Sequence, residues 1–165
     1  MIKTQIKNKP LETGDIAPSF QAFDQDGNKV SLKNFKGKLV ILYFYPKDST
    51  PGCTKEACSL RDRFSTFKKK NVIILGVSKD SQKSHQSFIE KFNLPFTLIS
   101  DVDKKVQEAY GVWQEKTLYG RRFMGVVRTT FIIGADQKII YVFNKVDCEN
   151  HAEEILDKLE ELNLS

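Results

Sequence analysis

Two runs of consecutive hydrophobic residues organise the first half of the chain. Both LVILYFY (39–45) and NVIILGVS (71–78) are rich in residues that favour strands, and their unbroken hydrophobicity is typical of strands buried on both faces. Between them runs an apolar stripe at helical spacing, formed by Ala57, Leu60, Phe64 and Phe67. The order strand, helix, strand predicts a βαβ unit, so we expect the two strands to be parallel.

Shorter patterns predict the remaining elements. An Asp-Gly pair inside SFQAFDQDGNKVSL (19–32) indicates a β-hairpin near the start of the chain. Further helices are predicted over 81–92, 103–112 and 151–162, and further strands over 96–100, 126–133 and 139–146. Residues 1–14 are expected to be a loose lead-in, and the polar and aromatic segment 113–125 a loop. We therefore predict one α/β domain over residues 1–165, with a mixed central sheet flanked by helices.

Composition narrows the classes of function. The formal net charge is +5, but basic and aromatic residues do not interleave, so we expect no nucleic-acid partner. The start MIKTQIKNKP lacks the apolar core of a signal peptide, and no apolar run approaches the ~20 residues of a membrane span. Three cysteines do not suit a secreted disulfide framework. We expect a cytoplasmic protein without membrane contact.

Cys53 follows Thr50, a good N-cap residue, and Pro51, which suits the first position of a helix. The unpaired amides of a first helical turn carry partial positive charge and stabilise a thiolate. This placement favours a reactive nucleophile. The alternative is an inert buried cysteine on the apolar stripe, since cysteine is one of the most frequently buried residues.

Cys58 lies five positions after Cys53, which is too far for a disulfide on an intact helix. Residues with this spacing have Cα atoms roughly 8.6 Å apart, whereas a disulfide needs less than ~7 Å. If the two thiols pair, the first turns of the helix must unwind. The alternative is that Cys58 is a half-buried small residue beside the apolar stripe.

Arg128 is conspicuous in the apolar segment VVRTTFII (126–133). A buried arginine needs an anion, and a thiolate would serve. Arg128 can equally lie at a strand end and extend to water. Glu56, at i+3 from Cys53, either orients such an arginine or is a first-turn acid favoured by the helix dipole.

A zinc site is a further hypothesis. Cys148 and His151 form a C-x-x-H pair, which together with Cys53 and Cys58 would supply four zinc ligands. The C-x4-C spacing is uncommon for zinc, and the two halves lie far apart in the sequence, so these residues favour a metal-free protein.

PKDSTPGCTKEAC (46–58) resembles the active-site pattern of the peroxiredoxins. The resemblance is closest to the bacterioferritin comigratory protein or peroxiredoxin Q subgroup. It extends in order through GDIAPSF, DQDGNKVSL, GVSKDS, FTLISD, YGVWQEKTLYGRRFMGVVRTTFII and HAEEIL. It implies a thioredoxin-like fold and reduction of hydrogen peroxide and organic hydroperoxides, without a metal or organic cofactor.

The resemblance also implies a role for individual residues. Cys53 matches the peroxidatic cysteine that becomes a sulfenic acid, and Cys58 the resolving cysteine that forms an intramolecular disulfide with it. Thioredoxin would then reduce this disulfide. The other matches are Thr50, which would bind the peroxide, Pro46, which would shield the pocket, Arg128, which would stabilise the thiolate, and Glu56, which would orient the arginine. The chain would be a monomer or a weak dimer.

Cys148 departs from the subgroup pattern, and it is either a second resolving thiol, an intermolecular link or without a role. Two other functions remain open from the residues alone. One is a general dithiol-disulfide oxidoreductase, against which stand the C-x4-C spacing and the missing proline before TTFII. The other is a non-enzymatic role, such as a holdase chaperone or a binding module.

Overall fold

The computed structural model describes residues 10–164, so most of the expected lead-in over residues 1–14 and the signal-peptide question lie outside them. The strands are β1 (Gln21–Asp24), β2 (Lys29–Ser31), β3 (Leu39–Phe44), β4 (Val72–Ser78), β5 (Thr97–Ser100), β6 (Trp113–Leu118), β7 (Arg121–Val126), β8 (Thr129–Ile133) and β9 (Ile139–Phe143). The helices are α1 (Pro51–Asp62), α2 (Phe64–Lys69), α3 (Gln82–Phe92), α4 (Lys105–Ala109) and α5 (His151–Glu161), with a short 3-10 helix at Leu32–Phe35.

A seven-stranded sheet forms the centre of the fold, in the order β2-β1-β5-β4-β3-β8-β9. The strands β3, β4 and β5 are parallel neighbours, and the flanking pairs are antiparallel. The predicted parallel pairing of the two hydrophobic runs is therefore confirmed, as are the mixed sheet and the N-terminal hairpin of β1 and β2.

The central strand β3 is buried on both faces because successive side chains point to opposite sides of the sheet. Ile41 and Tyr43 pack with α1, α2, α3 and α5 in one hydrophobic cluster. Leu42 and Phe44 pack on the other face with β4, α4 and the 3-10 helix. The uninterrupted hydrophobic run thus places the carboxyl end of β3, and the loop that follows it, between two packed layers.

The predicted helix between β3 and β4 is divided in two. It breaks at Arg63, whose φ of −112° and ψ of 14° leave the helical region, so α1 and α2 are separate helices. The apolar stripe continues across the break because Leu60 and Phe67 both face the same core. Periodicity alone does not reveal the break, since both pieces bury the same side.

Residues 113–125, expected to be a loop, instead form most of an antiparallel hairpin of β6 and β7. Its two-residue turn is Tyr119-Gly120, with positive φ angles at both positions. Most of the hairpin side chains are exposed on both faces, so no alternation of hydrophobic and polar residues marks it. The Tyr119-Gly120 pair was the one feature of the sequence that could have indicated the turn of this hairpin.

The predicted strand over 126–133 is also interrupted, because β7 ends at Val126 and β8 begins at Thr129. The amide of Val127 donates to the carbonyl of Val112 at 2.7 Å rather than to a neighbouring strand. Arg128 therefore lies at the entrance to β8, not inside a continuous strand. No helix in residues 10–164 has both the length and the apolar character to cross a lipid bilayer.

Candidate active site

Cys53 lies in the first turn of α1, as the sequence predicts, and its side chain is buried. Thr50 occupies the N-cap position with extended backbone angles, and Pro51 is the first helical residue. The Thr50 hydroxyl does not cap the helix, because it donates to the carbonyl of Lys47 at 2.8 Å. The amides of the first turn therefore donate no hydrogen bond to the Thr50 side chain, and they surround the thiol with partial positive charge.

Arg128 joins two side chains of α1. Its Nη2 donates to the Sγ of Cys53 at 3.4 Å, and its Nη1 donates to Oε1 of Glu56 at 2.6 Å. Glu56 is fully buried, whereas the arginine side chain keeps 22% of its surface exposed. The structure thus brings together three of the residues that the sequence singles out, with the guanidinium between the thiol and the carboxylate.

Burial disfavours the charged forms of Arg128 and Glu56, whereas each of these two residues favours the charged form of the other. Burial lowers the pKa of Arg128, but Glu56 and Cys53 outweigh it, so the net shift is upward and the guanidinium stays charged. Burial raises the pKa of Glu56 from its ordinary value of 4.5 to about 7, although Arg128 opposes the shift. The Sγ of Cys53 therefore faces a charged hydrogen-bond donor.

His151, the first residue of α5, lies beside Glu56, and the sequence did not predict this position. Its Nε2 lies 2.8 Å from the Thr130 hydroxyl and 3.7 Å from Oε2 of Glu56, while its Nδ1 lies 2.8 Å from a carboxylate oxygen of Glu154. Burial lowers the pKa of His151, against the opposing effect of Glu154. A neutral ring with its proton on Nδ1 donates to Glu154 and accepts from Thr130, which leaves Oε2 of Glu56 without a hydrogen-bond partner.

The loop before α1 is held by a buried network around Asp48. Its carboxylate accepts hydrogen bonds from Tyr45 at 2.6 Å and Ser84 at 2.8 Å, and it lies 2.8 Å from Nδ1 of His85. The other ring nitrogen of His85 contacts the carbonyl of Ile99 at 3.0 Å. The position of His85 on a predicted helix suggests a surface residue, but its side chain is fully buried. His85 links the loop to α3 and β5.

Pro46 and Thr50 lie in this loop, which follows β3 and precedes α1, and both are half-buried. The Thr50 oxygen has free lone pairs because its proton is donated to Lys47. The loop therefore presents a hydrogen-bond acceptor beside the first turn of α1.

Cys58 lies on the same continuous helix as Cys53, half-buried and reduced. The helix does not unwind between them, so their Cα atoms stay roughly 8.6 Å apart by helical geometry. Disulfide formation in this arrangement requires a change in α1.

Cys148 lies in the turn that precedes α5 and is close to the first turn of α1. A Cβ atom placed on Gly52 would lie 3.2 Å from Nη2 of Arg128 and 3.7 Å from Sγ of Cys148. The third thiol of the chain is therefore a neighbour of the arginine that contacts Cys53.

The zinc hypothesis finds no support in residues 10–164. The one group of three metal-binding side chains found there is Asp48, Asp80 and His85. These side chains already hydrogen-bond within the protein, and the group does not include the four residues of the hypothesis.

Known proteins share this fold and sequence. The AhpC/TSA family model matches residues 13–142. Peroxiredoxin Bcp of Escherichia coli strain K12 is 47% identical over 152 residues, covering 92% of this chain and 97% of that protein. A cysteine-to-serine mutant of Xylella fastidiosa PrxQ superposes with a TM-score of 0.87 at 34% identity, covering 93% of this chain and 98% of that one. A Xanthomonas campestris bacterioferritin comigratory protein, studied for its alkyl peroxide reduction activity, gives a TM-score of 0.82 at 35% identity over 86% and 90% of the two chains.

The sheet carries a buried cysteine at the start of a helix, in contact with an arginine, and the family match and the solved relatives identify the class as the peroxiredoxins. The chain belongs to the AhpC/TSA family. Within that family its relatives are bacterial peroxiredoxins of the Bcp and PrxQ kind, which confirms the resemblance and the fold predicted from the sequence. The chain is therefore a thiol peroxidase.

Proposed function

We propose that this chain reduces hydrogen peroxide and organic hydroperoxides with Cys53 as the peroxidatic residue. The observation that carries the proposal is the contact between Sγ of Cys53 and Nη2 of Arg128 in the first turn of α1. The alkyl peroxide reduction activity of the Xanthomonas campestris relative supports organic hydroperoxides as substrates.

In the first step the Cys53 thiolate attacks the terminal peroxide oxygen. The sulfur–oxygen bond forms as the oxygen–oxygen bond breaks, and Cys53 becomes a sulfenic acid that keeps the hydroxyl of the peroxide. The leaving oxygen takes up a proton from solvent and departs as water or alcohol. Arg128 stabilises the negative charge on sulfur and on the leaving oxygen. The Thr50 oxygen accepts a hydrogen bond from the peroxide hydroxyl, because its own proton is donated to the carbonyl of Lys47. Pro46 shields this pocket from water.

Glu56 acts through Arg128 rather than on the peroxide. Its carboxylate is buried, and its hydrogen bond with Nη1 fixes the plane of the guanidinium so that Nη2 faces the thiol. A planar fork that donates in two directions needs such an orienting partner. Glu56 is therefore a positioning residue in this proposal.

In the second step Cys58 attacks the sulfenic acid and forms an intramolecular disulfide with Cys53. The sulfur–oxygen bond breaks as the sulfur–sulfur bond forms, and the hydroxide leaves as water with the thiol proton of Cys58. Since α1 is continuous between the two residues, its first turns must unwind for this step. Thioredoxin then reduces the disulfide in the cytoplasm, and the cycle of the proposed monomer or weak dimer uses no metal or organic cofactor. This second step follows the resemblance together with the spacing of the two cysteines.

A peroxide consumption assay with Cys53→Ser tests the proposal. Consumption driven by thioredoxin and its reductase should fall to the background rate, because serine does not form a reactive anion near neutral pH. The matched control is Ser87→Ala on α3, which changes a hydroxyl outside the proposed site and should leave the rate unchanged. Parent-level consumption by Cys53→Ser would disprove the assignment.

The same variant separates the competing functions. A general dithiol-disulfide oxidoreductase would reduce insulin disulfides in the absence of peroxide, and a holdase chaperone would suppress aggregation without Cys53. We expect neither activity to account for the peroxide consumption. The structure favours the peroxidase because Arg128 contacts Cys53 alone of the two cysteines on α1.

A further inference from the structure

Cys148 is a thiol at the proposed site that takes no part in the two proposed steps. It lies in the turn between β9 and α5, beside Gly52 and Arg128. Gly52 has no side chain, so the space between Cys148 and the first turn of α1 is not filled by a Cβ. A side chain there would lie between Cys148 and the guanidinium.

The turn that carries Cys148 is fixed against α1. The carboxylate of Asp147 accepts hydrogen bonds from the amides of Glu149 and Asn150, which shapes the turn. At the start of α5, the amide of Ala152 donates to the Ser59 hydroxyl at 2.9 Å, which ties α5 to α1. The turn that carries Cys148 is thus shaped by Asp147, and the helix that follows it is tied to α1 through Ser59.

We propose that Cys148 is a second resolving thiol, which attacks the sulfenic acid of Cys53 and forms a Cys53–Cys148 disulfide within one chain. The inference rests on the proposed role of Cys53. The sulfur–sulfur bond forms as the sulfur–oxygen bond of the sulfenic acid breaks, and the departing hydroxide combines with the thiol proton of Cys148 to give water. The oxidant is the peroxide that the first step consumes.

The charges around Cys148 favour attack after Cys53 is oxidised rather than before. Burial raises the pKa of Cys148, Arg128 lowers it, and the negative charges of Glu56 and Cys53 raise it further. Conversion of the Cys53 thiolate to a neutral sulfenic acid removes one of these repulsions. The Cys148 thiolate therefore becomes easier to form at the moment when its target exists.

This route differs from the Cys58 route in what must move. Cys58 is on the same helix as its target, so that disulfide disrupts the turns between residues 53 and 58. Cys148 comes from a turn outside α1, so pairing with Cys53 requires movement of that turn and of the first residues of α1. Residues 54–62 keep their helical hydrogen bonds to one another in this second route.

Peptide mapping of Cys58→Ser tests the inference. The variant is treated with one equivalent of hydrogen peroxide, then with dimedone, and analysed without reduction. We expect a loss of about 2 Da, little dimedone adduct, and a linked peptide pair containing Cys53 and Cys148. The control is the double variant Cys58→Ser/Cys148→Ser, which should carry a dimedone adduct at Cys53 in most chains.

Two results would overturn the role of Cys148. One is a Cys58→Ser variant that carries as much dimedone adduct as the double variant and gives no linked peptide. The other is linkage between two chains, seen as a species of doubled mass whose yield rises with protein concentration. Failure of the peroxidase proposal itself is recognised separately, because the double variant would then form no adduct at Cys53.

Discussion

Arg128 and Glu56 form an ion pair of 2.6 Å in which the carboxylate is fully buried and the guanidinium also contacts Cys53. The carboxylate holds one nitrogen of the fork, so the other nitrogen faces the thiol. The environment of Cys53 is thereby set by two residues that lie on different elements, α1 and the segment before β8.

Replacement of this arginine by lysine should slow the peroxide step without removing the positive charge. Lysine donates from a single ammonium group and does not contact Glu56 and Cys53 in the same fixed fork. We expect the rate of Arg128→Lys in single-turnover peroxide consumption to fall by about 10- to 1000-fold. Arg122→Lys, on the exposed hairpin of β6 and β7, is the matched control and should react at the parent rate.

Removal of the Glu56 charge should change how stability depends on pH. The pKa of Glu56 is about 7 in the folded chain against an ordinary value of 4.5, so the folded state binds the proton more tightly than the unfolded state. A raised carboxyl pKa stabilises the fold at low pH, and this contribution is lost as pH rises from 4.5 to about 7.

Chemical denaturation at several pH values measures this effect. The free energy of unfolding of the parent, relative to that of Glu56→Gln, should decrease by at most about 3 kcal/mol across this window and then stay level. The groups near Glu56 that also titrate or carry charge are Arg128, His151, Glu154, Tyr43 and Cys148. A difference that increases with pH would contradict the assignment.

Gly52→Ala should change stability and activity in opposite directions. Alanine is the better residue inside a helix by about 0.5–1 kcal/mol, so the free energy of unfolding should stay level or rise. The new Cβ would lie 3.2 Å from Nη2 of Arg128, which Glu56 prevents from moving freely. We expect a several-fold slower single turnover with peroxide, measured beside a urea denaturation curve. A fall in the free energy of unfolding together with the slower single turnover would instead indicate general misfolding.

Asp48→Asn should destabilise the chain even though Asp48 hydrogen-bonds to none of the proposed catalytic side chains. Both carboxylate oxygens receive hydrogen bonds, so the amide nitrogen of asparagine would face a donor in a buried position. The expected loss is about 2–4 kcal/mol in the free energy of unfolding, measured with urea. Asp26→Asn, in the exposed β1–β2 turn, should cost much less.

The two resolving routes should leave different traces in hydrogen exchange. With Cys148→Ser only the Cys58 route remains, so peroxide should accelerate amide exchange between residues 53 and 58 by more than about tenfold. With Cys58→Ser the amides of residues 54–62 should exchange as in the reduced protein. Mass spectrometry of peptic fragments checks both variants, and faster exchange over 54–62 in Cys58→Ser would contradict the proposed second route.

Much of the fold follows from local patterns. The two hydrophobic runs predict β3 and β4 because strands buried on both faces need no polar positions. The prediction of a loop over residues 113–125 was wrong. The side chains of the β6–β7 hairpin are largely exposed, so burial imposes no pattern of hydrophobic and polar residues on them. The break at Arg63 was missed because the helices on either side of it bury the same face.

The site shows the same division between local and distant contacts. The position of Cys53 in a first helical turn is predicted by the residues directly before it. The burial of His85 is not, because it depends on Asp48, 37 positions away in the sequence. The contact of His151 with Glu56 likewise joins α5 to α1, and no spacing in the sequence reports it.

The two ends of α1 are secured differently. Before the helix, the Asp48 and His85 network fixes the loop to α3 and β5, and after it the break at Arg63 separates α1 from α2. A rearrangement of α1 is therefore kept from the sheet by these fixed segments, although α5 stays tied to α1 through Ser59, and we expect the central sheet to look the same in both oxidation states. A reductant that distinguishes oxidised from reduced protein must then recognise the surface of α1 or of the turn that carries Cys148.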